Sequence, residues 1–139
     1  MLFLIPAYLS EESPINYFSP VIKEYILKTD YCFEEKEKTA RKVIKFFAPE
    51  KKQSDLHLFV LDKYSDSLDL KEAQILMKNG QDFGLLSEAG LPCIADPGNI
   101  MVKWCHENHI KIIPISGPRA IILALISSGF NGQQFTFHG

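Results

Sequence analysis

The stretch Ser87-Glu88-Ala89-Gly90-Leu91-Pro92-Cys93-Ile94-Ala95-Asp96-Pro97-Gly98 decides how the chain is read, because it follows the apolar run Phe83 to Leu86 and precedes a helix-like segment. Two Gly and two Pro in twelve positions are too much punctuation for a simple connector. Gly lets a backbone pass close to a ligand and Pro fixes its course. In an open α/β sheet, ligands settle at the carboxyl ends of the strands, so a loop of this kind after a strand is the expected site.

Working outward, the apolar runs Leu2 to Ile5, Leu56 to Leu61, Phe83 to Leu86 and Ile110 to Ile115 read as short strands, with Tyr31 to Phe33 a weaker one. Amphipathic segments separate them. Pro20 to Lys28 is one, and Glu37 to Phe47 is another, with Ala40, Val43, Ile44 and Phe47 on one face. A third is placed with Asp69 as N-cap, Glu72 three residues on, and Gly80 closing it. Asn99 to Asn108 sets Ile100, Met101, Trp104 and Cys105 on one side. Ser116 is read as the cap of a last helix with Pro118 near its first turn and Gly129 at its end; Ala120 to Ile126 is apolar all round and is expected to be buried. This alternation predicts an α/β fold, a mainly parallel sheet flanked by helices on both faces.

The 139 residues suit a single domain with an ordinary core, and a net charge of −2 is not that of a strongly basic nucleic-acid binder. The apolar start, Met1 to Pro6, lacks a basic segment and reads as a first strand rather than a signal peptide; no run approaches membrane-spanning length. Cys32, Cys93 and Cys105 are odd in number and widely spaced, which argues against a disulfide framework or a zinc site and makes a reducing cytoplasm the default. No Gly-x-Gly-x-x-Gly follows the first strand, and no phosphate-binding loop, Gly-x-Ser-x-Gly or His-Glu-x-x-His occurs. Nucleoside-triphosphate, ordinary NAD, serine-hydrolase and zinc-protease chemistry lose support accordingly. After Gly129 a turn-rich link, Phe130 to Gln134, leads to Phe135-Thr136-Phe137-His138-Gly139, which resembles a strand just begun. The expected organisation is an α/β domain over 1–129 and, over 130–139, a linker entering a second, absent domain; a C-terminal edge strand is the alternative.

Two ordered motifs carry a resemblance. Ser87 to Gly98 is similar to the Ser-Asp-Ala-Gly-Thr-Pro-x-Ile-Ser-Asp-Pro-Gly signature of the bacterial small-subunit ribosomal RNA 2′-O-methyltransferases, members of the tetrapyrrole methylase superfamily. Downstream, Ile113-Pro114-Ile115-Ser116-Gly117-Pro118-Arg119-Ala120 and Ser127-Ser128-Gly129-Phe130 resemble the Pro-x-Pro-Gly-Pro-Ser-Ala and Ser-Gly-Leu segments of that family. More loosely, Leu4-Ile5-Pro6 and Glu34-Glu35-Lys36-Glu37 fall where the family has Val-Pro-Thr-Pro and Glu-Asp-Thr-Arg. The chain departs from the pattern at Glu88 (Asp), Leu91 (Thr), Arg119 (Ser) and Glu37 (Arg), and across Ala7 to Ser13, where the family has Ile-Gly-Asn-Leu.

The resemblance implies an S-adenosylmethionine (SAM)-dependent methyltransferase with its cofactor folded between two α/β domains, acting on ribosomal RNA as a homodimer. By position the donor would meet Gly90, Leu91, Pro92 and Ile94, then Arg119 and Ala120. Methyl transfer asks mainly for alignment, since the sulfonium is already activated. Glu34 and Glu35 are candidates for a base at a hydroxyl acceptor, against a reading as surface charges. Lys38, Arg41, Lys42 and Lys45, extended by Lys51 and Lys52, form a basic stripe opposite the apolar face of their helix; it suits phosphate contact, or simply solubility. Two rival functions stand beside this one: methylation of a small, tetrapyrrole-like molecule, and a non-catalytic binding module on the same fold. His57 reads as packed or edge-exposed within a strand, and His106 and His109 as cations near a helix end.

Overall fold

The structure, a computed structural model, describes residues 1–61 and 68–138. Its strands are β1 (Leu2–Ile5), β2 (Tyr31–Glu34), β3 (His57–Val60), β4 (Phe83–Leu86) and β5 (Ile112–Pro114). Its helices are α1 (Val21–Lys28), α2 (Glu37–Phe47), α3 (Leu68–Lys78), α4 (Asn99–Glu107) and α5 (Ala120–Ser128), with short 3₁₀ turns at Ile15–Tyr17 and Gln53–Asp55. The strands form one sheet in the order β3-β2-β4-β1-β5, and every pairing is parallel. The expected α/β class is therefore observed.

Parity along the strands builds two cores. Phe3, Ile5 and Cys32 face Ile22 and Ile26 of α1 and Ala40, Val43, Ile44 and Phe47 of α2. Leu2, Phe33, Phe83 and Leu85 face Leu70, Ala73 and Met77 of α3 and Met101 and Cys105 of α4. Alternate residues of a strand point to opposite faces, so one buried strand feeds both layers. Phe33, Phe59 and Phe83, on three successive strands of the sheet, pack ring against ring at centroid separations of 5.0 to 6.0 Å within the second core.

Four expectations are corrected. Asp69 lies inside α3, whose range opens at Leu68, rather than at its N-cap; its side chain is outside the described residues. The last helix starts at Ala120, with Arg119 as its extended N-cap, because Ser116 to Pro118 are held by long-range contacts instead of winding into a first turn. No residue of α5 is buried: Ile122, Leu123 and Ile126 are 43%, 44% and 70% exposed. The helix follows edge strand β5 and no second layer covers it among the described residues. Finally, Phe135 to His138, read as the start of a strand, form none in this structure.

Candidate functional site

The strand order sets the place. The chain leaves β1 toward α1 on one face of the sheet and leaves the adjacent β4 toward α4 on the other. A crevice opens at the carboxyl ends of such a strand pair, which is where ligands of open α/β sheets bind. Here three segments meet across it. Ala7 N–H, just after β1, donates to the Gly90 carbonyl at 2.9 Å; Leu91 N–H donates to the Pro118 carbonyl, beyond β5, at 3.0 Å.

Two glycines permit this approach. Gly90 has φ +69°, and a Cβ there would stand 2.6 Å from the Pro118 carbonyl oxygen. A Cβ on Gly117 would stand 2.2 Å from that of Pro6. Ser87 Oγ also donates to the Gly90 carbonyl, at 2.7 Å. Beyond Leu91 the loop turns around Asp96, whose carboxylate accepts from Cys93 N–H at 2.9 and 2.8 Å and from Gly98 N–H at 2.9 Å. The turn is strained: Cys93 and Ala95 adopt φ +69° and +62°, a region that disfavours residues with a Cβ. Strain of this kind persists only where surrounding structure imposes it, and it clusters at ligand sites.

Of the six residues expected at the cofactor, Ile94 and Arg119 line a common cavity, and Gly90 and Leu91 join them through hydrogen bonds to the loops after β1 and β5. Gly90 and Pro92 are buried and Leu91 is half-buried, while Ile94 and Ala120 reach the surface. Arg119 does something its sequence context did not foretell. Its Nη1 donates to the Leu91 carbonyl at 2.8 Å and its Nη2 to that of Ile94, so the guanidinium grips the loop. No local sequence signal marks this contact, because the partners lie 28 and 25 residues apart.

The two candidate bases part company. Glu35, Ser87, Glu88, Ile94, Asp96 and Arg119 line a cavity of about 240 Å³, and Glu35 also borders a cleft of about 670 Å³ with Lys36, Pro97 and Ile100. Ile100, expected on the packed side of α4, faces this cleft and is 44% exposed. Glu34 lies beneath the surface, 2% exposed, on the α2 side of the sheet that Cys32 also faces; neither carboxylate oxygen has a hydrogen-bond partner. Burial, reinforced by Glu37, pushes its carboxyl up to about 7, while Arg41 pulls the other way. Strand parity carried this signal, since Glu34 follows Cys32 by two.

The basic stripe is thinner than its sequence implies. Arg41 pairs with Glu37 at 2.8 Å and donates to the Gln53 carbonyl; Lys42 pairs with Glu11 at 2.6 Å. Lys51 is no part of it, because its ammonium is taken by Asp30 and the Leu27 carbonyl. Lys38 and Lys45 stay exposed outside these pairs, and Lys45 borders a hollow of about 250 Å³ beside Tyr8 and Phe46. His57 is exposed on edge strand β3 and stacks on Tyr31 at 4.9 Å. Among the described residues no three His, Cys, Asp or Glu side chains are arranged to hold a metal, and no helix is long and apolar enough to cross a membrane. The three cysteines are unpaired.

Comparison with known proteins then gives a consistent answer. The ribosomal RNA small subunit methyltransferase I of Buchnera aphidicola (subspecies Baizongia pistaciae) is 39% identical over 79 residues, 57% of this chain and 27% of that protein. The protein of the same name from Synechocystis is 48% identical over 63 residues, 45% of this chain and 23% of the relative. That of Escherichia coli O157:H7 is 34% identical over 82 residues, 59% and 29% respectively. Over this stretch the chain is a homologue of bacterial small-subunit ribosomal RNA methyltransferases. The match spans about a quarter of each relative's length. No family model matches the chain.

Proposed function

We propose that this chain contributes the cofactor-holding α/β part of a SAM-dependent methyltransferase that modifies small-subunit ribosomal RNA, with 2′-O-methylation as its reaction. One observation carries the reading: the strained, doubly anchored loop 87–98 stands at the switch point of a parallel sheet, in a chain that is 34–48% identical, over about half its length, to proteins named ribosomal RNA small subunit methyltransferase I. The loop fits the donor. A sulfonium with an ammonium suits a polar cavity bordered by the carboxylates of Glu35, Glu88 and Asp96, and Ile94 at its edge offers apolar contact to an adenosyl group.

When bound, SAM supplies an activated methyl group that passes to an oxygen nucleophile. The residues of this chain do the rest: Gly90 and Gly117 let three loops close together, Asp96 and Arg119 fix the loop, and Glu35 accepts or orients the proton of the attacking hydroxyl. Glu34, shut beneath α2, does not reach that hydroxyl. Lys38 and Lys45 offer phosphate contacts for the RNA.

A further α/β domain over the crevice, and a homodimeric assembly in the cytoplasm, complete the proposal. The length of the relatives and the uncovered apolar side of α5 support the added domain. The test is transfer of labelled methyl from SAM to small-subunit ribosomal RNA by the full-length natural protein, beside calorimetry of SAM binding to that protein and to residues 1–139. Label in ribose 2′-oxygens and binding confined to the longer protein are expected. SAM binding with no turnover would replace the enzyme by a binding module; no SAM binding by either would remove the reading.

A further inference from the structure

We propose that Arg119 is a positioning residue that holds the 87–98 loop in its cofactor-competent shape, rather than a residue that touches the cofactor. The proposal rests on the cofactor reading of that loop. Its basis is geometric. One guanidinium bonds two carbonyls, Leu91 and Ile94, that lie three residues apart. The left-handed residues Cys93 and Ala95 flank Ile94 directly, so the grip is applied where the backbone would otherwise relax.

The rest of the loop is held from other sides. Asp96 binds Cys93 and Gly98 from within the turn, and Ser87 with Ala7 fixes Gly90 at its root. Neither restraint involves the Ile94 carbonyl. Arg119 Nε is buried without a partner, which marks a side chain placed for its two Nη groups. A planar fork suits such a double contact, and a lysine ammonium, as a point donor, does not reproduce it.

Arg119 also joins two elements. Its own carbonyl accepts from Leu123 N–H at 2.9 Å in the first turn of α5, while its side chain reaches across to the loop. The start of α5 and the shape of the loop are thereby one unit. Here the chain departs from the serine that the resembling family carries, so the clasp belongs to this chain.

Without the grip, each left-handed residue is free to relax, and binding has to restore it. Re-imposing one such conformation weakens binding about tenfold, and two up to roughly a hundredfold. The experiment compares the full-length natural protein with Arg119→Ala and Arg119→Lys. Amide hydrogen exchange is read without cofactor, and SAM affinity is read by calorimetry. Both variants are expected to exchange faster at Cys93 and Gly98, whose amides are bonded to Asp96 within the loop, with β1 and β4 unchanged, and to bind SAM about ten- to a hundredfold more weakly. Weaker binding with unaltered loop exchange would show direct contact with the cofactor and overturn the clasp. Faster exchange with unaltered affinity would overturn the positioning role. Absence of SAM binding by the unmodified protein would instead refute the cofactor reading itself, visibly and before any variant is compared.

Discussion

Three glycine-to-alanine substitutions separate the two reasons why the loops at the crevice can close. At Gly80, φ is +93° and nothing lies within 4 Å of the place an added methyl would take, so Gly80→Ala meets only the conformational penalty. That penalty is about 1–2 kcal/mol, offset by about 0.4–1 kcal/mol from the stiffer unfolded chain. At Gly117 no left-handed angle is required, but the new methyl would stand 2.2 Å from Pro6 Cβ and 2.5 Å from its Cγ. A proline ring cannot swing aside, and overpacking of this sort costs about 1–3 kcal/mol. Gly90 suffers both effects: φ is +69°, and the methyl would meet the Pro118 carbonyl oxygen at 2.6 Å. The expected order of destabilisation is Gly90→Ala largest, about 2–4 kcal/mol; then Gly117→Ala; then Gly80→Ala, about 0–1.6 kcal/mol.

Urea denaturation followed through Trp104, the single tryptophan, measures all three. A loss of about 3 kcal/mol is a large part of the roughly 5–15 kcal/mol typical of a domain and lowers Tm by about 10 °C at this size. Equal midpoints for Gly90→Ala and Gly80→Ala, at unchanged m, would show that the loops do not approach as closely as the structure has them. An unperturbed Gly117→Ala would refute the contact between the β1 and β5 loops specifically.

Other consequences can be measured separately. Glu34 has a folded pKa raised to about 7 from a usual 4.5, so ionising it opposes folding; stability from this group is intact below about pH 4.5 and is lost as pH rises through 7. Glu34→Gln should therefore stabilise the protein by about 2–3 kcal/mol at pH 8 and hardly at all at pH 4, and parallel pH profiles for the two proteins would contradict it. Burial pushes the Cys32 and Cys93 thiols up to about 12 and Cys105 to about 11, so native protein at pH 8 should react with a disulfide reagent far more slowly than unfolded protein; a prompt native reaction would rule this out. If Lys38 and Lys45 contact RNA phosphates, Lys38→Gln with Lys45→Gln should lower the slope of log affinity against log salt by about 2, and an unchanged slope would leave the stripe a solubility feature.

Much of the fold was legible because it depends on local periodicity. The alternation of Leu2 and Phe3 between two cores, the buried face of α2, and Gly80 closing α3 all follow from residues a few positions apart. What was not legible depends on contacts across the chain. Ser116 has the local look of a cap, yet Pro118 and Gly117 are claimed by Leu91 and Pro6. Lys51 looks like one more surface cation, yet Asp30, 21 residues earlier, removes it from the stripe. The apolar circumference of α5 fits burial in a core as well as an uncovered helix; composition cannot separate the two, and exposure of Ile126 does.

Four of the positions where the chain leaves the pattern it resembles, Lys36, Glu88, Leu91 and Arg119, are linked in space in pairs at the 87–98 loop. Glu88 stands in place of an aspartate, and Lys36 falls where that pattern has a threonine; the two pair at 2.7 Å and tie the β2 and β4 loops together. Arg119 stands in place of a serine and takes the carbonyls of Leu91, itself a replacement, and Ile94. The Lys36–Glu88 pair joins two replaced side chains, and Arg119 reaches main-chain carbonyls that do not depend on which residue stands at 91. The two ties differ in weight: Lys36 and Glu88 are 68% and 38% exposed, so solvent screens their pair, whereas the bond from Arg119 to Leu91 is partly buried. A double-mutant cycle across Lys36→Ala and Glu88→Ala should accordingly show a weak coupling that fades in high salt. A larger, salt-independent coupling would place the organising contact of the crevice at Lys36 and Glu88 and demote Arg119 to a bystander.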